Sequence, residues 1–459
     1  MLEKFFLPKS IAVIGASNNP NKLGYDIFHN LKRYGGRVYP VNVKGGEVQG
    51  VKAYRSVREI PEKVDMCVVV VPKKFVKDAI IDSGESGCKA AVVITAGFRE
   101  TGEEGRKEEE ELVKLARSYG MRLIGPNCVG VMNLNVGLNA TFIKKEPPEG
   151  DVALVSQSGA LGGAIIYKSA DEGIGLSKFV SVGNMADVDF ADLIEYFADD
   201  SETKAISLYI EGVRDGRRFL DALKKGILKK PVIVLKAGRT SSGARAASSH
   251  TGSLAGSFKI YESAVKQSGG LMAKTIDEML SMARAFKLPL PAGRNVAIIT
   301  NAGGPAVLAA DEVEERGLSL AKLSAETLSR LKEFLPPMAA LKNPVDMIAS
   351  ATGEDYYKAT KILLEDPNVD IIIAICVVPT FGGMSLTEHA EGVIKAYREM
   401  GMRKPVLAVF MSGEVSEPAE KLLGENGIPN YRRPEDAAAA AYALAKYSEH
   451  LKRLKDVVS

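Results

Sequence analysis

The chain has 459 residues, 46% of them hydrophobic and 25% charged; this is the composition of ordinary globular proteins, at a length suited to about three domains. A formal net charge of only +3 leaves no electrostatic footprint for nucleic acid or an acidic membrane surface. The longest strongly apolar run, Ile371 to Val378, is too short to span a bilayer, and Met1 to Pro8 lacks the apolar stretch and cleavage site of a signal peptide. A cytoplasmic protein is expected, with neither nucleic acid nor membrane among its partners. Cys67, Cys88, Cys128 and Cys376 show no CxxC spacing and read as thiols of a reducing compartment, Cys67 and Cys376 being placed in buried strands. Scarce Gln, absent Trp and plentiful charge lean towards a thermophile.

Apolar runs of strand length alternate with longer helical stretches throughout, which predicts parallel α/β sheets. The first unit, residues 1–145, has predicted strands at Ile11–Gly15, Arg37–Val41, Met66–Val71, Ala91–Thr95 and Arg122–Ile124. Its first strand runs into Gly15-Ala16-Ser17-Asn18, followed by Lys22 and Gly24. Such a small-residue turn before a helix lets a phosphate approach backbone N–H groups, although it is not GxGxxG. Where a nicotinamide-binding fold wants an acid for a ribose hydroxyl, the second strand ends in Asn42 and Lys44. A cation there suits an extra phosphate, as in coenzyme A; a solvated surface lysine is the competing reading. Val71-Pro72, Ala96-Gly97 and Gly125-Pro126-Asn127-Cys128 end later strands and would line the same crevice. The Glu-rich run Glu103 to Glu111 reads as a solvated helix face.

The second unit, residues 146–287, and the third, 288–459, start alike. Val152-Ala-Leu-Val-Ser-Gln-Ser-Gly-Ala160 matches Val296-Ala-Ile-Ile-Thr-Asn-Ala-Gly-Gly304 without a gap, and Lys230-Pro-Val and Lys404-Pro-Val open a later strand in each. A duplicated flavodoxin-like domain is inferred. Ser156, Ser158, Gly159 and Ala160 form a strand-to-helix turn whose exposed N–H groups, hydroxyls and helix dipole make an anion cradle. Asn301, Gly303 and Gly304 form its counterpart, and two such helix ends on one dianion would hold it better than either alone. For each, a turn that needs glycine for sterics is the bland alternative.

Glu211 ends a hydrophobic strand, where an acid can hold a histidine's Nδ1–H and present Nε2; surface exposure is the reading that the sequence alone favours. His250 lies in the small-residue segment Gly238 to Ser253, which shows no obvious helix or strand. Core packing does not explain an imidazole there. A nucleophile on a movable arm does, since neutral imidazole can take up and surrender a phosphoryl group; an incidental polar residue in a linker is the alternative. Glu211 and His250 are both present in the second unit and both lacking in the third. His29 and His389 fall in helical stretches, and His450 in the C-terminal tail.

Taken together, the Gly15-Ala16-Ser17 turn, Gly125-Pro126-Asn127-Cys128, Ser156-Gln157-Ser158-Gly159, Glu211-Gly212 and Ser249-His250-Thr251-Gly252 resemble the α subunits of ADP-forming acetyl-CoA synthetases, within the succinyl-CoA synthetase superfamily. The resemblance covers essentially the whole chain. It implies an α/β fold with an N-terminal Rossmann-like CoA-binding domain and two flavodoxin-like ligase domains. It also implies a phosphoryl carrier at His250, an orienting carboxylate at Glu211, and helix ends around phosphate at Ser158 and Gly303. Acyl-CoA and phosphate would give an acyl phosphate, then a phosphohistidine that swings to a nucleotide site. No ATP-grasp pattern is found, so an ATP-grasp β subunit carrying ADP/ATP and Mg²⁺ is expected as partner in an α2β2 heterotetramer. A related ligase for an aryl, branched-chain or succinyl group, or a non-catalytic CoA-binding regulator, would share the fold. A nicotinamide oxidoreductase is disfavoured by Asn42 and Lys44.

Overall fold

The computed structural model describes residues 2–251, 257–380 and 385–458, the side chains of residues 247–251 and 457–458 excepted. The chain forms two compact units, Met1–Lys274 and Thr275–Ser459. Among the described residues no helix is long and apolar enough to cross a membrane.

The first sheet of Met1–Lys274 places Arg37–Val41, Ser10–Ile14, Met66–Val69, Ala90–Val93 and Arg122–Ile124 side by side in that order, all parallel. Every residue of Ser10–Ile14, Met66–Val69 and Ala90–Val93 is buried, as expected of strands covered on both faces, and this is why they read as unbroken apolar runs. In chain order the arrangement is 2-1-3-4-5. The order in which successive strands are added reverses between Ser10–Ile14 and Met66–Val69, which opens a crevice at their carboxyl ends.

The second sheet runs Leu271–Ala273, Val232–Lys236, Ala205–Ile210, Glu149–Ser156, Leu176–Ser181, Gly130–Asn133 and Leu138–Thr141. Its first five strands are parallel and have the same 2-1-3-4-5 order counted from Glu149–Ser156. The last two form an antiparallel hairpin laid against Leu176–Ser181, with Phe179 opposite Met132. This hairpin was not among the predicted strands, because its buried Asn133, Asn139 and Thr141 read as turn residues. Internal hydrogen bonds hold them: Asn133 Nδ2 donates to the Phe6 carbonyl at 3.0 Å, and Asn139 Oδ1 accepts from the Thr141 amide and hydroxyl at 3.1 and 2.7 Å.

Three local expectations are corrected. Ser241–Thr251 is an α-helix, so His250 does not sit in irregular chain. Thr240 Oγ1 accepts the Gly243 N–H at 3.1 Å, and the run of Ala and Arg that follows favours helix, but without an apolar stripe no periodicity marks it. His450 lies in the helix Pro434–Val458 rather than in a tail. In Glu103–Ser118, Glu109 is fully buried, unlike a solvated face.

Thr275–Ser459 holds a third parallel sheet, with Ser319–Leu320, Asn295–Thr300, Ile371–Val377 and Val406–Met411 adjacent, and Val345–Asp346 pairing with Asn295–Thr300. With Val345–Asp346 left aside, this is again the 2-1-3-4 order. The alanines at 437 to 441 on Pro434–Val458 are buried, and their small side chains let that helix lie close on Ile276–Arg284 and Gly303–Glu315.

Candidate active site

A cavity of about 1390 Å³ opens at the carboxyl ends of the first sheet and extends to the strand ends of the second. Gly15, Ala16, Ser17, Lys22 and Gly24 line one end. Gly15 takes φ +102°, where a Cβ would collide with the Val70 carbonyl oxygen, and a Cβ on Gly24 would collide with the Gly15 carbonyl oxygen, so the helix Leu23–Leu31 meets this turn only because Gly24 lacks a side chain. The bare backbone left there is a cradle that a phosphate can approach. Asn42 lines the same end, and its Nδ2 donates to the Ala16 carbonyl at 2.8 Å, holding the turn. Val71, Pro72, Ala96, Asn127 and Cys128 continue the wall, and burial pushes the Cys128 thiol up to about 12, which keeps it neutral.

Three residues expected here stand elsewhere. Asn18 Nδ2 donates to the Glu47 carbonyl at 2.8 Å and its Oδ1 accepts the Gln49 N–H at 2.7 Å, which commits it to a neighbouring hairpin. Lys44 is exposed and outside the cavity lining; Gly97, half-buried, is outside it too, and its N–H is given to the Glu100 carboxylate. Arg55, which sequence reasoning passed over, does line the cavity, and its guanidinium has no hydrogen bond or ion pair among the described residues. The chain reaches it from a short loop with no motif to flag it.

The far end belongs to the second sheet. Gln157, Ser158, Gly159 and Ala160 line it where Glu149–Ser156 turns into the helix Gly159–Asp171. Ser158 caps that helix, its Oγ accepting the Leu161 N–H at 3.3 Å, while Ser156 lies just outside the lining and braces the turn by donating to the Ser158 carbonyl at 2.7 Å. Glu211 also lines the cavity and is only 8% exposed, which overturns the reading of a surface acid. Tyr209 Oη lies 3.5 Å from its Oε1. One residue along the neighbouring strand pair, Lys236 is buried, donates to the Ala237 carbonyl at 2.6 Å, and stands 4.8 Å from the Tyr261 ring centre. Burial draws its ammonium below the usual lysine range, and the charge of Glu211 opposes that shift. The side chain of His250 lies outside the described residues.

A polar network closes the wall between the two ends. The loop after Leu176–Ser181 runs along Arg122–Ile124: Asn184 N–H reaches the Pro126 carbonyl at 3.0 Å, Ala186 N–H the Gly125 carbonyl at 3.0 Å, and Val188 N–H the Leu123 carbonyl at 3.0 Å. Asp187, its carboxylate fully buried, anchors the loop by accepting from Arg117 and Arg122 and from the Leu123 N–H. Asn184 Nδ2 donates to both Glu100 and Glu109, at 2.6 and 2.8 Å. Burial raises the Glu100 carboxyl, but the Asn184 amide and the N–H groups of Gly97, Glu100 and Phe98 more than offset it and hold it below the usual range. Glu109 stays above its usual range, because burial outweighs Asn184, Arg99 and Arg214. Arg99 and Arg214, both in the cavity lining, flank that buried carboxylate at 3.2 and 3.5 Å.

In Thr275–Ser459, Asn301 ties the end of Asn295–Thr300 to the neighbouring strand. Its Oδ1 accepts the Val377 N–H at 2.9 Å, and its Nδ2 donates to the Val377 carbonyl at 3.0 Å. Thr300 Oγ1 donates to the Ala302 carbonyl at 2.8 Å, as Ser156 does to Ser158. The helix Gly303–Glu315 then starts with Gly303 and Gly304 and without a side-chain cap, leaving its first N–H groups for other partners.

Comparison with known proteins agrees with this architecture. Residues 9–133 match the CoA binding domain family, 149–286 the succinyl-CoA ligase like flavodoxin domain, and 296–452 the ligase-CoA domain. The α subunit of ADP-forming acetate–CoA ligase II of Pyrococcus furiosus is 66% identical over 452 residues, covering 98% of this chain and 99% of the relative. ADP-forming acetate–CoA ligase I of Archaeoglobus fulgidus is 44% identical over 448 residues, covering 98% of this chain but 64% of the relative. Among solved structures, the dinucleotide-forming acetyl-coenzyme A synthetase 1 of Ca. Korarchaeum cryptofilum, in complex with phosphate and ADP, superposes with a TM-score of 0.93 at 41% identity, covering 100% of this chain and 99% of that one. The chain belongs to the family of ADP-forming acetate–CoA ligase α subunits, within the wider group of succinyl-CoA ligase-like proteins.

Proposed function

We propose that the chain is the α subunit of an ADP-forming acetyl-CoA synthetase, which converts acetyl-CoA, phosphate and ADP into acetate, ATP and CoA. The observation that carries the reading is a single cavity that runs from the Gly15 phosphate turn to the buried carboxylate of Glu211. The nucleotide end of CoA lies at Gly15 to Ser17, Lys22 and Asn42, its arm along Val71, Pro72, Ala96 and Asn127, and its thioester near Ser158 to Ala160.

An oxygen of inorganic phosphate, held at the start of Gly159–Asp171, attacks the thioester carbonyl. The C–S bond breaks, the sulfur takes up a proton as CoA, and acetyl phosphate remains. Nε2 of His250 then attacks phosphorus, and the P–O bond to acetate breaks. Glu211 holds the opposite ring nitrogen and stabilises the imidazolium formed. Asn301, Gly303 and Gly304 are assigned phosphate binding in Thr275–Ser459. The phosphoryl group passes finally to ADP, with Mg²⁺, on an ATP-grasp β subunit in an α2β2 assembly. Relatives named as α subunits support that partner, and so does the Archaeoglobus relative, of which this chain spans 64%.

The test is acid-labile, base-stable phosphorylation by acetyl-CoA and ³²P-phosphate, with and without the β subunit, comparing the wild type with His250→Ala. Label on the wild type alone is expected. Equal label on both proteins, or ATP synthesis by the variant, would overturn the mechanism.

A further inference from the structure

We propose that Asn184 is a positioning residue that sets which way the Asn127 side chain faces, so that Asn127 offers its carbonyl oxygen to an amide N–H on the pantetheine arm of bound CoA. This rests on the CoA reading of the cavity above.

Ionised carboxylates only accept hydrogen bonds. Oxygens of Glu100 and Glu109 lie 2.6 and 2.8 Å from the same atom of Asn184, so that atom is the nitrogen, and both of its N–H bonds are used. Oδ1 of Asn184 is thereby turned away from the carboxylates and lies 3.3 Å from the Asn127 amide. Two oxygens facing each other there would repel, so Asn127 presents Nδ2 to Asn184. Its own Oδ1 has no hydrogen-bond partner among the described residues. Asn127 is exposed within the cavity lining, and that oxygen is its acceptor for a ligand.

The backbone leaves this relay no slack. Asn184 N–H holds the Pro126 carbonyl at 3.0 Å, Asn127 N–H holds the Thr95 carbonyl at 3.0 Å, and a Cβ on Gly183 would collide with the carbonyl oxygens of Pro126 and Asn127. Asn127 follows Arg122–Ile124, three strands from the Ser10–Ile14 turn, which at strand spacing is about 14 Å. That places it along the arm rather than at the nucleotide. An amide N–H of the arm that enters the cavity loses water and needs such an acceptor.

The test is a double-mutant cycle on the full-length chain, with CoA affinity read by calorimetry and folding checked by circular dichroism. Asn184→Leu and Asn127→Leu should each weaken CoA roughly tenfold, the weight of one hydrogen bond, and the double variant should bind no worse than either. An unchanged affinity in Asn184→Leu, or a further tenfold loss when Asn127 is already leucine, would overturn the proposal. Should Asn184→Leu fail to fold, Asn184→Ala takes its place in the same cycle. A wild type that does not bind CoA would bring down the proposed function itself, whereas binding with additive losses would remove only this inference.

Discussion

Gln157 clamps the backbone of Glu211: its Oε1 accepts the Glu211 N–H at 2.8 Å and the adjoining Gly212 N–H at 3.0 Å. The side chain that leaves one strand thus fixes where the acid at the end of the next strand begins. Gln157→Leu keeps the size but strands two N–H groups, at about 1–3 kcal/mol each when buried. Overall synthesis with the β subunit should fall by about tenfold or more, each tenfold being about 1.4 kcal/mol of barrier. CoA affinity, measured alongside, should stay within about twofold, since no hydrogen bond to the CoA arm is removed.

Glu211→Gln keeps shape and loses charge. If the carboxylate stabilises an imidazolium, the variant should form phosphohistidine more slowly or lose it faster, by about tenfold for the loss of one charge-assisted hydrogen bond. Quench-flow labelling from acetyl phosphate reads both rates. Wild-type kinetics in the variant would remove Glu211 from the mechanism.

Arg55 and Lys44 compete for the role of phosphate-binding cation at the nucleotide end. Arg55 lines the cavity and Lys44 does not. Arg55→Gln should therefore weaken CoA by about tenfold while barely affecting dephospho-CoA, as expected when a charged hydrogen bond to the 3′-phosphate is lost. Lys44→Gln should leave both ligands unchanged. The opposite pattern in calorimetry would return the role to Lys44.

Gly24→Ala puts a methyl group against the Gly15 carbonyl oxygen, and backbone cannot swing aside as a side chain can. A cost of about 1–3 kcal/mol is expected, seen as a lower thermal midpoint, together with weaker CoA binding. A midpoint equal to the wild type would show that helix and turn are looser than their contact implies.

How far these features were legible depends on whether a local pattern carries them. The parallel strands were readable because burial on both faces writes continuous apolar runs, and Gly15, Asn127 and Ser158 because small or turn-forming residues mark strand ends. Asn184, Arg214 and Arg55 were not readable. Each is a polar loop residue, and only the topology brings it to the cavity. The burial of Glu211 was likewise hidden, since one acid after a strand looks the same whether water or a neighbouring strand covers it. The helix Ser241–Thr251 escaped for the opposite reason: its composition favours helix, but nothing in it repeats with the period of a buried face.

The hairpin Gly130–Asn133 with Leu138–Thr141 has a consequence for how this protein could be cut and recombined. It follows the last strand of the first sheet in sequence yet completes the second, and Asn30 grips it from the helix Leu23–Leu31, donating to the carbonyls of Thr141 and Ile143 at 2.9 Å. A fragment ending at residue 145 would carry off an orphan hairpin, and the remainder would bare Leu176–Ser181 as a raw edge open to pairing with other chains. The two sheets are stitched into one heritable module. Gene fusion, fission or domain exchange can tolerate a seam near Lys274 more readily than one at residue 145, where the sequence alone ends the first unit.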